Sequence, residues 1–311
     1  MFALPKREPD RMRGAITKIT LRASVVILLN ASLCGAAGMA DSSNELKLAK
    51  EWNASAEAYM DQGAYEEARR LYLRSLPIIE HTLGQENPET VVTLGNLCDA
   101  SSHLSAYLDA KPLCSRALSL REKVLGPSHP EVARSLSDLG LIYINEGDFV
   151  RSEKLLRRAL KIAGSSVDDS DLASVLNNLG YLYSKKCQFT RAEKLFEQAL
   201  AITEKNRGAE DPALIPMLSN AATVSLASRH FRAAEDQFRR ALELAERVYG
   251  PNPINGVPAL VGLTRAEAAL GKDSEARIML ARASGVLAAS PQAYLEWGHA
   301  VDAARLDLLR K

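Results

Sequence analysis

The chain has 311 residues, a net charge of +1 from 39 basic and 38 acidic side chains, and only 5% aromatic residues. A single core rarely grows that far, so several domains or an elongated array is expected. With the two signs balanced and interleaved, as on solvated helix faces, no field gathers nucleic acid, and nucleic acid is excluded as a partner.

The chain opens on a basic lead, with Lys6, Arg7, Arg11, Arg13, Lys18 and Arg22. The apolar run ASVVILLNASLCGAAGMA follows from Ala23 to Ala40, and small residues crowd Gly38-Met39-Ala40 ahead of Asp41. Basic lead, short apolar stretch and small exit predict a secretory signal peptide over residues 1–40. Glu8 and Asp10 speak against a mitochondrial transit peptide, which is poor in acids. An uncleaved signal anchor is the alternative, and a membrane enters only in that case. Ser24, Asn30, Ser32 and two glycines make the run a poor spanning helix. Leu33, where a small residue is wanted, disfavours lipidation at Cys34. Cleavage would leave an exported mature chain, periplasmic or extracellular.

From Asp41 to residue 290 one pattern recurs. The stretches AYEEARRLYLRSL, AYLDAKPLCSRAL, DFVRSEKLLRRAL, QFTRAEKLFEQAL, HFRAAEDQFRRAL and KDSEARIMLARA share a small anchor: Ala68, Ala110, Ser152, Ala192, Ala234 and Ala276. The anchors are spaced 42, 42, 40, 42 and 42 residues apart, a fixed period that marks a solenoid or array. Each period reads as two helices. Leu136, Leu139, Gly140 and Tyr143 keep one apolar face before the anchor, and Leu155, Leu156, Ala159, Leu160 and Ile162 keep another after it. Gly63, Gly147 or Gly271 supplies the turn, where a helix ends at positive φ. Between periods stand Asn87-Pro88, His129-Pro130 and Asp211-Pro212. Proline suits the first helical position, and Asn87 and Asp211 suit the cap before it. Small residues are expected to bring the paired helices together, Gly140 and Gly180 fitting against Ser152 and Ala192.

A hairpin cannot bury its second face alone, so stacking is required. The array over 41–290 is predicted to hold six hairpins, near 46–82, 89–124, 131–163, 171–206, 213–248 and 257–288. They should wind into a right-handed spiral with first helices lining a concave face. Tyr294, Trp297, Val301, Ala304 and Leu308 form one stripe within 291–311, which reads as a capping helix. The fold class is all-α.

These residues resemble the tetratricopeptide repeat. That family's Trp, Leu, Gly, Tyr, aromatic and Ala positions are met in different copies by Trp52, Leu139, Gly140, Tyr143, Gly147, Phe149, Phe196 and Ala199. The usual period is 34, and the 42-residue form is similar to the kinesin-light-chain-type repeat. RALSLREKVLGPSHPEVARSLSDLGLIYINEGDF, from Arg116 to Phe149, carries its hallmark run, and RALELAERVYGPNP, from Arg240 to Pro253, repeats part of it. The resemblance covers about residues 45–288. It implies an α-α superhelix, a TPR solenoid, acting as a scaffold for a protein or peptide partner. It does not say which, because one fold serves many functions. Some copies depart from the pattern. Gly164 to Asp171 replaces the LGxxHP connector with two residues fewer. Cys187 and Arg229 stand where a turn glycine is usual, and Asp273 stands where an aromatic packs.

One inner position recurs as Asn96, Asp138, Asn178 and Asn220, with Asn177 beside the third. An asparagine offers both a donor and an acceptor, so a ladder of them can hold an extended backbone of any sequence. The resemblance implies such ladders in peptide-binding members. The alternative is that Asn here is a habit of the repeat without a ligand. Arg134, Tyr181, Lys185, Arg265, Asp99 and His103 are further groove candidates, Tyr181 as an apolar shelf with a polar tip. A self-assembling structural array is the competing class, and the capping stripe argues against it.

No His-Glu-x-x-His, phosphate loop or Gly-x-Ser-x-Gly occurs, and the five histidines are scattered, so neither an enzyme nor a cofactor is expected. Cys98, Cys114 and Cys187 lack metal-type spacing and are read as small buried hydrophobes. A Cys98–Cys114 disulfide across one hairpin is the alternative, open to an oxidising compartment.

Overall fold

The computed structural model describes residues 39–104, 107–165 and 170–309. The segment read as a signal therefore lies outside the described residues, except for Met39 and Ala40. Thirteen α-helices follow in order, and no strand occurs among the described residues. Hairpin 1 is α1 (Met39–Asp61) and α2 (Tyr65–Leu83); hairpin 2 is α3 (Pro88–His103) and α4 (Tyr107–Leu125). Hairpin 3 is α5 (Pro130–Asn145) and α6 (Phe149–Ala163); hairpin 4 is α7 (Ser170–Lys185) and α8 (Phe189–Arg207). Hairpin 5 is α9 (Leu214–Ala227) and α10 (Phe231–Tyr249); hairpin 6 is α11 (Val257–Ala269) and α12 (Asp273–Ala289). The last helix, α13 (Pro291–Leu309), packs against both helices of hairpin 6. Together they form an all-α superhelix.

Local chemistry sets the boundaries. Pro88 and Pro130 open their helices, and the side chains of Asn87 and His129 accept from the backbone N–H of Glu89 and Glu131. Asp211 likewise accepts from Ala213 N–H at 2.9 Å. Its helix starts later than expected, at Leu214, so Pro212 sits in the turn ahead of it. The hairpin turns repeat one hydrogen-bond pattern. Gly147 N–H reaches Ile144 O and Asp148 N–H reaches Tyr143 O, with Gly147 at φ +80°. Cys187 (φ +57°) and Arg229 (φ +65°) adopt the same geometry without glycine.

First helices touch one another directly along the array: α3 with α5, α5 with α7, α7 with α9, α9 with α11. Second helices pack mainly on first helices. Crowding on one side curves the stack toward that side, so the first helices line the inside. Second helices are linked instead by ion pairs: Arg116–Glu80 at 2.8 Å, Arg158–Glu122 at 2.5 Å, Arg240–Glu204 at 2.6 Å, and Arg282 with Glu246. At the joint of hairpins 3 and 4 the corresponding residues are Gly164 and Gln198, which cannot pair.

Two packing expectations are corrected. Gly140 and Gly180 do not primarily make room for the anchors Ser152 and Ala192. A Cβ on Gly140 would come 2.7 Å from Leu156, and one on Gly180 would come 2.8 Å from Phe196. The glycines are notches for the large side chain one turn beyond each anchor. The cysteines are not three buried hydrophobes either. Cys98 and Cys114 are joined in a disulfide with Cα atoms 5.0 Å apart, and Cys187 is exposed in its turn.

The described side chains of α13 pack on hairpins 5 and 6. Trp297, Val301 and Ala304 extend the core of hairpins 5 and 6, and Leu308 meets Ala268 and Ala276. The Tyr294 side chain lies outside the described ones.

Candidate functional site

Steps of three and four residues put Asn96, Asp99 and His103 on one face of α3, and Asn178, Tyr181 and Lys185 on one face of α7. That face is the inner one. The asparagines bond to each other across hairpins. Asn178 Nδ2 donates to Ser137 Oγ at 3.0 Å, Asn177 Nδ2 to Asn178 Oδ1 at 3.3 Å, and Asn220 Nδ2 to Asn177 Oδ1 at 3.2 Å. This chain ties α5, α7 and α9 together. It uses one donor of each amide, and each NH₂ carries a second. Asn96 Nδ2 donates to Tyr72 Oη of hairpin 1 at 3.3 Å.

The fourth register residue, Asp138, differs in kind. Its Oδ2 lies 3.8 Å from the Sγ of disulfide-bonded Cys98. Burial pushes its carboxyl well above the usual carboxylate range and Asp99 adds to this, while Arg121 and Arg134 oppose it.

In the N-terminal part of the inner face the candidate side chains are held by neighbouring groups, although His103 stays exposed. His103 stacks on Tyr65, with ring centroids 4.2 Å apart and planes 5° from parallel, and its Nε2 is 3.7 Å from Asp99 Oδ1. A Cβ on Gly63 would lie 3.5 Å from Tyr249 Oη and 3.8 Å from Asn255 Nδ2. The first hairpin's turn thus returns against the connector after α10. Burial pushes the Tyr65 hydroxyl up to about 12, with Tyr249 and Asp99 contributing. Arg134 is held by Asp171, through Nε at 3.2 Å and Nη2 at 3.1 Å, and by Glu131 at 3.2 Å. Arg265 Nε is 3.4 Å from Asp307 of α13.

Three candidates come together in the open. Tyr181, Lys185 and Asn220 line a pocket of about 220 Å³ between α7 and α9, with Ser184, Phe189, Thr223, Val224 and Ala227. Lys185 Nζ lies 5.0 Å from the Tyr181 ring centroid, a cation–π distance. Among the described residues no carboxylate pairs with Lys185. The sequence reading missed Thr223, although it occupies the register of Tyr181 one hairpin later. It also missed Phe189, which reads as the packing aromatic of its turn yet lines the pocket. Among the described residues no three of His, Cys, Asp and Glu are grouped as metal ligands would be.

Comparison with known proteins gives the following. A tetratricopeptide repeat family model matches residues 92–165 and 171–247, and a second tetratricopeptide repeat model matches residues 56–89. Together these matches span more than half of the chain. No curated protein matches significantly. Among solved structures, a single-substitution form of a Podosopora anserina kinesin light chain protein of nearly identical TPR-like repeats is 19% identical, with TM-score 0.51, covering 66% of this chain and 98% of its own. BtubC (BKLC) from P. vanneervenii is 21% identical, with TM-score 0.55, covering 78% and 91%. A Rap protein complexed with Competence and Sporulation Factor is 14% identical, with TM-score 0.61, covering 92% and 78%. At these identities the likeness concerns the fold.

Proposed function

Because the chain belongs to the tetratricopeptide repeat family, whose members bind protein partners, we propose that it is an exported scaffold holding an extended protein segment in its inner groove, chiefly at hairpins 4 and 5. The observation that carries this reading is the pocket where Tyr181, Lys185 and Asn220 converge. It joins an apolar shelf, a cation without a carboxylate partner among the described residues, and an amide at the end of the asparagine chain. Asn177, Asn178 and Asn220 each keep an N–H that can meet the carbonyls of a passing backbone, which makes holding independent of sequence. Tyr181 and Lys185 then select side chains. The Rap protein, solved with Competence and Sporulation Factor, is a precedent for a solenoid of this shape carrying a second molecule. The signal-like residues 1–40 and the Cys98–Cys114 disulfide support export, since disulfides persist in oxidising spaces.

The reading is tested by tagging the chain at its C-terminus in its own host and identifying what co-purifies, beside an Asn178→Ala, Asn220→Ala variant. The partner should be lost with the variant while helicity by circular dichroism is retained, and the mature N-terminus should fall near Asp41. A partner retained by the folded variant would refute groove binding. An intact N-terminus would refute cleavage.

A further inference from the structure

Hairpin 2 is built differently from the other five. At one register position each first helix carries a small or short residue, and the position 16 residues later, on the second helix, carries a large one. The pairs are Ala56 with Tyr72, Gly140 with Leu156, Gly180 with Phe196, Ala222 with Phe238, and Thr264 with Leu280. For hairpins 3 and 4 the notch is direct, since a Cβ on either glycine would collide with its partner. In hairpin 2 the same two positions are Cys98 and Cys114, both 0% exposed and covalently joined. A second departure lies one helical stretch further on. The place taken by Ile79, Ala163, Thr203, Ala245 and Leu287 in the other hairpins holds Arg121, only 2% exposed. Its guanidinium packs over Gly95, donates to Ser135 Oγ at 2.6 Å and meets Glu131 at 2.9 Å. Hairpin 2 thus lacks the large apolar knob at its crossing and carries a buried charge beside it. Among the described residues the cluster around the cystine has Cys98, Ala110, Cys114, Leu139 and Ile142 buried, with Tyr107, Leu113, Leu118 and Leu155 packed half-buried against it.

We infer that the Cys98–Cys114 disulfide is a redox-conditional staple that takes over the work of the missing apolar knob, so that hairpin 2 is ordered only in the oxidised chain. Closing the staple takes two electrons and two protons from the two thiols to a disulfide oxidant, which leaves as a dithiol. A dithiol reductant reverses the step, yielding two cysteines and its own cyclic disulfide. Reduced, the crossing holds two small thiols where the neighbouring hairpins hold a tyrosine and a leucine, and Arg121 stays buried beside them. The consequence is local, because each hairpin of an array leans only on its neighbours. It reaches the inner face, since α3 carries Asn96, Asp99 and His103 and since Cys98 Sγ borders Asp138. The staple does not depend on the groove reading and can fail or hold independently of it.

The test is hydrogen–deuterium exchange of the full chain by mass spectrometry, oxidised and after refolding with dithiothreitol. Iodoacetamide labelling at Cys98 and Cys114 reports reduction. Amides of α3 and α4 should exchange on the order of a hundredfold faster after reduction, the factor that loop-closure entropy gives for a separation of 16 residues, while α8 to α10 stay unchanged. C98A/C114A should behave as reduced protein with or without reductant. C98G/C114L, which installs the pair of hairpin 3, should be protected in both conditions. Equal protection of α3 and α4 in oxidised and reduced wild type would overturn the staple. So would free thiols at both positions in the oxidised chain, or a C98G/C114L variant that loosens on adding reductant.

Discussion

At Arg229 the backbone stands at φ +65°, a region where a side chain costs about 1–2 kcal/mol relative to the ordinary helical well. Its side chain is exposed, so little offsets that cost. Arg229→Gly is therefore expected to stabilise hairpin 5 by about 1 kcal/mol, less the entropy glycine adds to the unfolded chain, read as a raised urea midpoint. A lowered midpoint would contradict the assignment. Register alone makes this position legible, because it falls where Gly147 closes another turn. The pairing of Cys98 with Cys114 is not legible in the same way. Their spacing says only that they share a hairpin, while bonding depends on Cβ geometry and on compartment. Asp138 adds a pH test. Its folded carboxyl titrates above the ordinary value, so the folded state binds the extra proton between the two. Stability from this group is present at low pH and is lost as pH rises from the ordinary carboxylate value through the raised folded one. Asp138→Asn should remove that loss and be at least as stable as wild type at pH 7 in urea unfolding. A variant less stable at pH 7, with the wild-type pH slope, would contradict the burial argument.

Helices and hairpins were the most legible scale. A 42-residue period, proline-opened first helices and apolar stripes locate them, since each is a local signal repeated many times. What the period hides is the difference between joints. Four joints link second helices through an arginine and a glutamate, and the joint of hairpins 3 and 4 has Gly164 and Gln198 instead. Gly164, just past α6, stands at φ −68°, so no left-handed strain opposes a side chain, although its Cβ would come 3.0 Å from Leu160 O and the backbone must give slightly. Gly164→Glu with Gln198→Arg should complete the series and add about 0.2–1 kcal/mol, the size of an exposed ion pair, and the gain should shrink at high salt. A double-mutant cycle with no coupling would show that curvature there holds the two side chains apart.

The superhelix as a whole is where sequence reasoning ran out. The return of Gly63 against Tyr249 depends on curvature summed over five hairpins. No local pattern encodes that sum. It separates the candidate residues by position along the inner face. Arg134, Asp99, His103 and Arg265 are held by neighbouring groups, whereas Tyr181, Lys185 and Asn220 share one open pocket. The proposed holding site is accordingly at hairpins 4 and 5, with the asparagine chain both joining the first helices and presenting spare donors.

The most direct measurement is site-specific photocrosslinking in the native host. A benzophenone amino acid is placed at Tyr181 in one sample and at Lys154, exposed on a second helix, in another. One discrete protein adduct is expected at position 181, abolished by Asn178→Ala with Asn220→Ala, and none at 154. An adduct at 154 with none at 181 would place binding on the outer surface and contradict groove binding.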